Sequence, residues 1–223
     1  MIGRFRAAVD GYRADLDEGD NLLLQQLVRE ILVVLDEPGD LTAFVQAATG
    51  FEASRAEPRD PALTNLLPPM SDDAPQAAEL RALTEDFLRA EKSARLRSMA
   101  ATLQTVQASV PGTLLVARDD VWDWLAALND IRLALAGELG IRSDADAERV
   151  MAVARGVGTA VAAAEPGDAP GARRWGTAPP SSATASAPAA PTPRERAVST
   201  TYLVVTWWQD SLLRAVRGGA PAH

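Results

Sequence analysis

Most side chains that carry acid–base, nucleophilic or metal chemistry are missing from this sequence. It has no cysteine, and its only histidine is the last residue, His223. Without thiols, disulfides, thiolate nucleophiles, zinc–cysteine centres and thiol redox switches are excluded. Without an internal histidine, most acid–base triads and transition-metal sites cannot be assembled. Carboxylates, arginines, hydroxyls and one lysine, Lys92, remain. A carboxylate-based hydrolase could be made from these, but it is the least favoured reading. We expect no catalytic residue, no cofactor and no metal.

The most distinctive polar residues lie in Trp122-Asp123-Trp124-Leu125-Ala126-Ala127-Leu128-Asn129-Asp130-Ile131-Arg132. On a helix, Trp124, Leu128, Ile131 and Leu135 form a buried stripe. Asn129 and Arg132 are three apart and therefore neighbours, while Trp122 sits at the first turn. The cluster Trp122, Asn129, Asp130 and Arg132 is either a patch that docks a partner or a structural device. In the structural reading, Asn129 and Arg132 hydrogen-bond another helix or a loop carbonyl and fix how the last helix packs. Polar groups at the edge of an apolar stripe usually serve packing specificity, which favours the second reading.

Arg89, Lys92, Arg95 and Arg97 give a second candidate, a basic face opposed locally only by Glu91. It would suit phosphate or an acidic helix, or else be a solvated face balanced by Glu79, Glu85 and Asp86. Asp72-Asp73 and Asp119-Asp120 lack the spacing of a calcium loop and read as helix caps. Gly156-x-Gly158 follows a helix and lacks the Lys-Ser/Thr of a phosphate loop.

These residues are positioned by a mainly helical fold. Asp10-Gly11 between two short alternating runs predicts a β-hairpin with a type I′ turn, with Phe5, Ala7 and Val9 on one face and Tyr12, Ala14 and Leu16 alternating after it. Asp17 to Asp20 offers the cap of a helix with Leu23, Leu24, Leu27, Val28, Ile31, Val34 and Leu35 at helical spacing, stopped by Pro38-Gly39. A short helix over Leu41–Ala48 and another over Ala62–Leu67 should follow, the latter begun by Asp60-Pro61. One long helix from Ala74 to about Ser109 carries Leu80, Leu83, Phe87, Leu88, Leu96, Met99 and Leu103. Thr113–Ala117 reads as a strand that can join the hairpin. Helices are expected over Val121–Leu139, closed by Gly140, and over Asp144–Ala163. Residues 165–193 are rich in Pro, Ala, Ser and Thr, and such a segment buries too little to offset its ordering entropy, so a long disordered insertion is expected. Trp175 is its one large apolar residue. Helical periodicity resumes through Tyr202, Val205, Trp208, Leu212 and Val216. The fold class is therefore mainly α: one helical-bundle-like domain, 1–164 plus 194–219, with a minor three-strand antiparallel sheet.

The net charge of −8 opposes free-standing nucleic-acid binding, so DNA contact is expected to be weak or indirect. No signal-peptide pattern is visible, and no apolar run approaches the roughly 18–20 residues of a membrane span. The cytoplasm is the default location.

Four stretches taken in order resemble one family: Asp60-Pro61-Ala62-Leu63-Thr64-Asn65-Leu66-Leu67-Pro68, Leu83-Thr84-Glu85-Asp86-Phe87-Leu88-Arg89, Trp124 to Leu133, and Trp208-Gln209-Asp210-Ser211-Leu212. The family is an actinobacterial one, long filed as a domain of unknown function and often labelled the AosR-type oxidative-stress transcriptional regulator. The resemblance implies a cytoplasmic regulator that contacts an alternative sigma factor or polymerase. It also implies a gene near the ClpS adaptor, which leaves an adaptor of Clp-type regulated proteolysis as a rival. Redox sensing in that family uses a cysteine pair, and this chain has none. No site transfers except the Asn129-Asp130-x-Arg132 cluster.

Overall fold

The computed structural model describes residues 2–36, 54–107, 112–156 and 190–218. The N-terminal hairpin forms from β1 (Arg6–Ala8) and β2 (Gly11–Asp15), and β3 (Thr113–Ala117) pairs antiparallel with β2, giving the order β1-β2-β3. The turn differs from the expected one. Ala8 pairs with Gly11, so Val9 and Asp10 are the central residues and Gly11 is already in the strand. Gly11 has φ +151°, and a Cβ there would lie 2.1 Å from the Val116 carbonyl oxygen, so glycine serves the close approach of β3 and not the centre of the turn. Tyr12, Ala14 and Leu16 are buried, whereas Ala7 and Val9 lie in solvent because β1 is the edge strand and its tip projects from the fold.

Six helices among the described residues follow the local signals. Helix α1 (Glu18–Asp36) starts where Asp17 Oδ1 accepts the Asp20 N–H at 2.8 Å, and it buries Leu24, Val28, Ile31 and Leu35. Leu23, expected in that stripe, is largely exposed. Helix α2 (Pro61–Leu66) has Asp60 as its cap, whose carboxylate accepts the Ala62 N–H, with proline in the first turn where no N–H is needed. Helix α3 (Ala74–Gln107) runs roughly 50 Å at about 1.5 Å per residue. Asp73 caps it, accepting the Gln76 N–H. Helix α4 (Val121–Glu138) buries Trp124, Leu128, Ile131 and Leu135 and ends at Gly140, φ +64°. Asp120 holds its N-cap position, but the side chain makes no capping bond because its own backbone is already helical.

Helix α5 (Asp144–Ala154) is shorter than expected: it stops where Gly156 turns to φ +70°, well before Ala163. Helix α6 (Pro193–Gly218) begins one residue earlier than the insertion's expected end allows. Thr192 Oγ1 accepts the Glu195 N–H and Glu195 Oε2 accepts the Thr192 N–H, a capping box over Thr192-Pro193-Arg194-Glu195. The expected helix Leu41–Ala48, residues 157–163 of the expected helix Asp144–Ala163 and residues 165–189 of the insertion lie outside the described residues.

The core is enclosed by the sheet and by α1, α2, α3, α4 and α6. Trp208 is its centre, fully buried, with its indole N–H donating to the Gly3 carbonyl at 3.1 Å. Its ring lies 4.9 Å from Phe5 and meets Trp124 edge-on at 6.3 Å. Residues before and after the insertion thus share one core. No helix among the described residues is long and apolar enough to cross a membrane.

Candidate functional site

Helix α3 turns one face inward along its length, but that face is charged in the first half and apolar in the second. Leu96, Met99 and Leu103 are buried as their spacing requires, but Leu83 is 61% and Phe87 is 70% exposed. The inner face there is taken by Arg81 and Glu85, the latter only 5% exposed. Arg81, Glu85 and Arg89 are four apart, so one face carries all three.

Glu85 is the centre of this cluster. Arg89 Nε donates to it at 2.8 Å, and Arg55 and Arg81 each lie 3.8 Å away. Arg55 also grips Asp86 with both guanidinium nitrogens, at 2.7 and 3.2 Å, and this hydrogen bonding holds the Asp86 carboxyl below its usual range. Arg89 reaches further, donating to the carbonyls of Val34 (3.2 Å) and Leu35 (2.9 Å). Those carbonyls belong to the last turn of α1, where a cation both satisfies orphan acceptors and opposes the negative end of the helix dipole. One turn on, Asp36 accepts from Ser93 Oγ at 2.9 Å and from Arg97 Nη2 at 2.6 Å.

A second cluster joins α3 to α4. Asp130, 2% exposed, accepts from Lys92 Nζ at 2.6 Å, and Arg95 Nη1 stands 3.7 Å from its other oxygen. Arg95 pairs in addition with Glu91 at 2.9 Å. The expected basic face of Arg89, Lys92 and Arg95 therefore does not face solvent. All three are turned inward and matched to acceptors, because a desolvated cation needs a partner within reach. Only Arg97 of that run is substantially exposed.

The four residues of the α4 motif separate. Asp130 is in the α3–α4 seam, and Trp122 is exposed at the first turn. Asn129 and Arg132 bond each other, Arg132 Nη2 to Asn129 Oδ1 at 2.8 Å, both half-buried. They do not fix α6 as expected; that link comes from Gln209, whose amide donates to the Leu125 carbonyl at 3.2 Å. Arg55, Arg81 and Asp36 were missed as members of the seam. The four-residue ladder of Arg81, Glu85 and Arg89 is the signal from which two of the seam's charges could have been read.

Chemically the seam is a bolt. Its central carboxylates, Glu85 and Asp130, and its lysine are paired and buried, while Asp36, Asp86 and Glu91 reach solvent. Among the described residues no group of three or more His, Cys, Asp or Glu could hold a metal ion. A cleft of about 410 Å³ between α1, α2, α4 and α6 is floored by Leu27, Ile31, Leu66 and Val198, and none of the motif residues lines it. The outer face of α3 is different in character: Leu83 and Phe87 stand one turn apart, both in solvent.

A family model described as a domain of unknown function, DUF2017, matches residues 2–216. The chain belongs to the DUF2017 family. The match covers both the seam and the exposed α3 face, so both are parts of the DUF2017 domain. No curated protein and no solved structure matches the chain.

Proposed function

We propose that this DUF2017 chain is a non-enzymatic cytoplasmic regulator that acts through protein–protein contact. The observation that carries the reading is the apolar pair Leu83 and Phe87, turned to solvent on a helix that turns Arg81, Glu85, Arg89 and Lys92 inward. Single exposed apolar residues are ordinary, but a contiguous patch formed while buried positions are given to Arg81 and Glu85 favours an interaction face. The resemblance to the AosR-type regulators supplies the finer content: transcriptional regulation in the oxidative-stress response through a sigma factor. With no cysteine, this chain would take its signal from the partner and not from a disulfide of its own.

The test is affinity capture with identification of the bound proteins, run for the parent and for the double variant Leu83→Ser, Phe87→Ser. Enrichment of a sigma factor or polymerase by the parent, lost in a variant that melts like the parent, is the expected result. Recovery of Clp components in place of transcription proteins would overturn the regulator reading.

A further inference from the structure

A second cleft, of about 310 Å³, lies between the N-terminal arm and the last turns of α6, on residues outside both the seam and the α3 face. Arg4, Phe5, Trp207, Ser211, Arg214 and Ala215 line it. The α6 residues follow the i, i+4, i+7, i+8 pattern of one helical stripe, so a single face of the helix forms one wall. The other wall is Arg4-Phe5, just before β1. The two are tied together: the Phe5 N–H donates to Ser211 Oγ at 3.2 Å, and the Ser211 hydroxyl donates to the Trp208 carbonyl at 2.9 Å. Phe5 packs in turn on the buried Trp208. The cleft is therefore preformed by core packing.

Its chemistry is cationic and aromatic in a chain of net charge −8. Among the described residues Arg4 has no carboxylate partner, and Arg214 meets only Asp210, at 3.6 Å with both side chains in solvent. Such an exposed pair contributes little and leaves the guanidinium available. Trp207 is 43% exposed, although its neighbour Trp208 is fully buried. An indole in a cleft between two available arginines offers a stacking surface beside two anion-binding forks.

We infer that this cleft binds a nucleotide, free or as one unit of a single strand, with the base against Trp207 and the phosphate between Arg4 and Arg214. A peptide of Asp and Glu would satisfy the arginines but has no flat apolar group to cover Trp207. A cleft of this volume falls at the small end of ligand sites. The hydroxyl of Ser211 is committed to the backbone on both sides, so no fixed side-chain hydroxyl reads a base edge and binding is base-tolerant. Duplex DNA hides its bases in the stack and is a poor ligand for the same site.

The experiment uses the full chain. Anisotropy of a fluorescein-labelled oligothymidylate of about twelve nucleotides, a length within the site sizes of single-strand binders, is compared with the duplex form, with AMP by calorimetry and with polyglutamate. The parent is expected to bind the single strand and to lose about 2.5-fold in affinity between about 50 and about 200 mM salt, as one neutralised phosphate requires. Trp207→Ala should cost about tenfold or more, with Trp207→Phe retaining most of the binding. The pair Arg4→Ser, Arg214→Ser should weaken binding and flatten the salt dependence. AMP binding with the same Trp207 dependence supports a free nucleotide as the ligand, and oligothymidylate binding alone supports the strand. Polyglutamate binding as tightly as the strand, binding indifferent to Trp207→Ala, or no binding to either nucleotide probe would overturn the inference.

Discussion

Lys92 Nζ lies 2.6 Å from Asp130 Oδ1, joining the middle of α3 to the middle of α4 across a seam that is almost closed to water. Removing one partner leaves the other charge desolvated, which costs about 3–5 kcal/mol, whereas an apolar pair of similar volume is often neutral or better. Asp130→Ala should therefore destabilise strongly in urea, and the combination Lys92→Met, Asp130→Leu should recover most of the loss. An Asp130→Ala chain with the parent's midpoint would show that the seam contributes nothing to stability.

Asn129 and Arg132 are a local pair. Their bond spans one helical turn and leaves both side chains half-buried, so its contribution is about 0.2–0.5 kcal/mol. At roughly 2–4 °C per kcal/mol for a chain of this size, Asn129→Ala and Arg132→Ala should each lower the thermal midpoint by only about 1–2 °C. Calorimetry decides the point. A drop of many degrees would mean that one of them holds a second element in place.

Gly137 marks where α4 and α2 touch. A Cβ there would stand 2.1 Å from the Pro61 carbonyl oxygen and 2.8 Å from its carbon, both backbone atoms that cannot swing away. Gly137→Ala is expected to push α2 outward, at a cost of about 1–3 kcal/mol despite the better helix propensity of alanine. An increase in stability would contradict this contact.

Asp146 gives the start of α5 a pH dependence. Its carboxyl is lowered from 3.8 to about 2, chiefly by the hydrogen bond from Arg149 and then by those from the Arg142 backbone and Ser143. A depressed carboxylate binds protons more weakly folded than unfolded, so its contribution is present above the ordinary value and is lost as pH falls from about 4 towards 2. Amide exchange at the first turn of α5 should quicken over that interval in the parent. Asp146→Asn should show no such change, and a titration midpoint near the ordinary value would refute the arrangement.

Local signals were legible because they act over one or two turns. Asp17, Asp60 and Asp73 at helix starts, Pro61 in a first turn and Gly140 at a helix end each satisfy or replace a backbone group whose position the chain direction alone defines. The stripe of Trp124, Leu128, Ile131 and Leu135 was legible for the same reason, since periodicity reports one apolar face. The capping box at Thr192–Glu195 was equally local and went unread only because the insertion's composition runs into it.

The exclusion of thiol chemistry was also a property of the sequence by itself: with no cysteine and a single histidine, thiol sites and most histidine-built metal sites are ruled out in any fold. What tertiary structure decided is which face of α3 turns inward. At about 100° per residue Leu83 and Phe87 fall on the face opposite Leu96, Met99 and Leu103, so apolar residues occupy two faces of α3 and local periodicity does not say which one is buried. The choice depends on Arg55, Asp130 and the last carbonyls of α1, which come from distant parts of the chain. Once those acceptors and charges are assembled beside it, the favourable arrangement puts Arg89 and Lys92 against them and Leu83 and Phe87 in water.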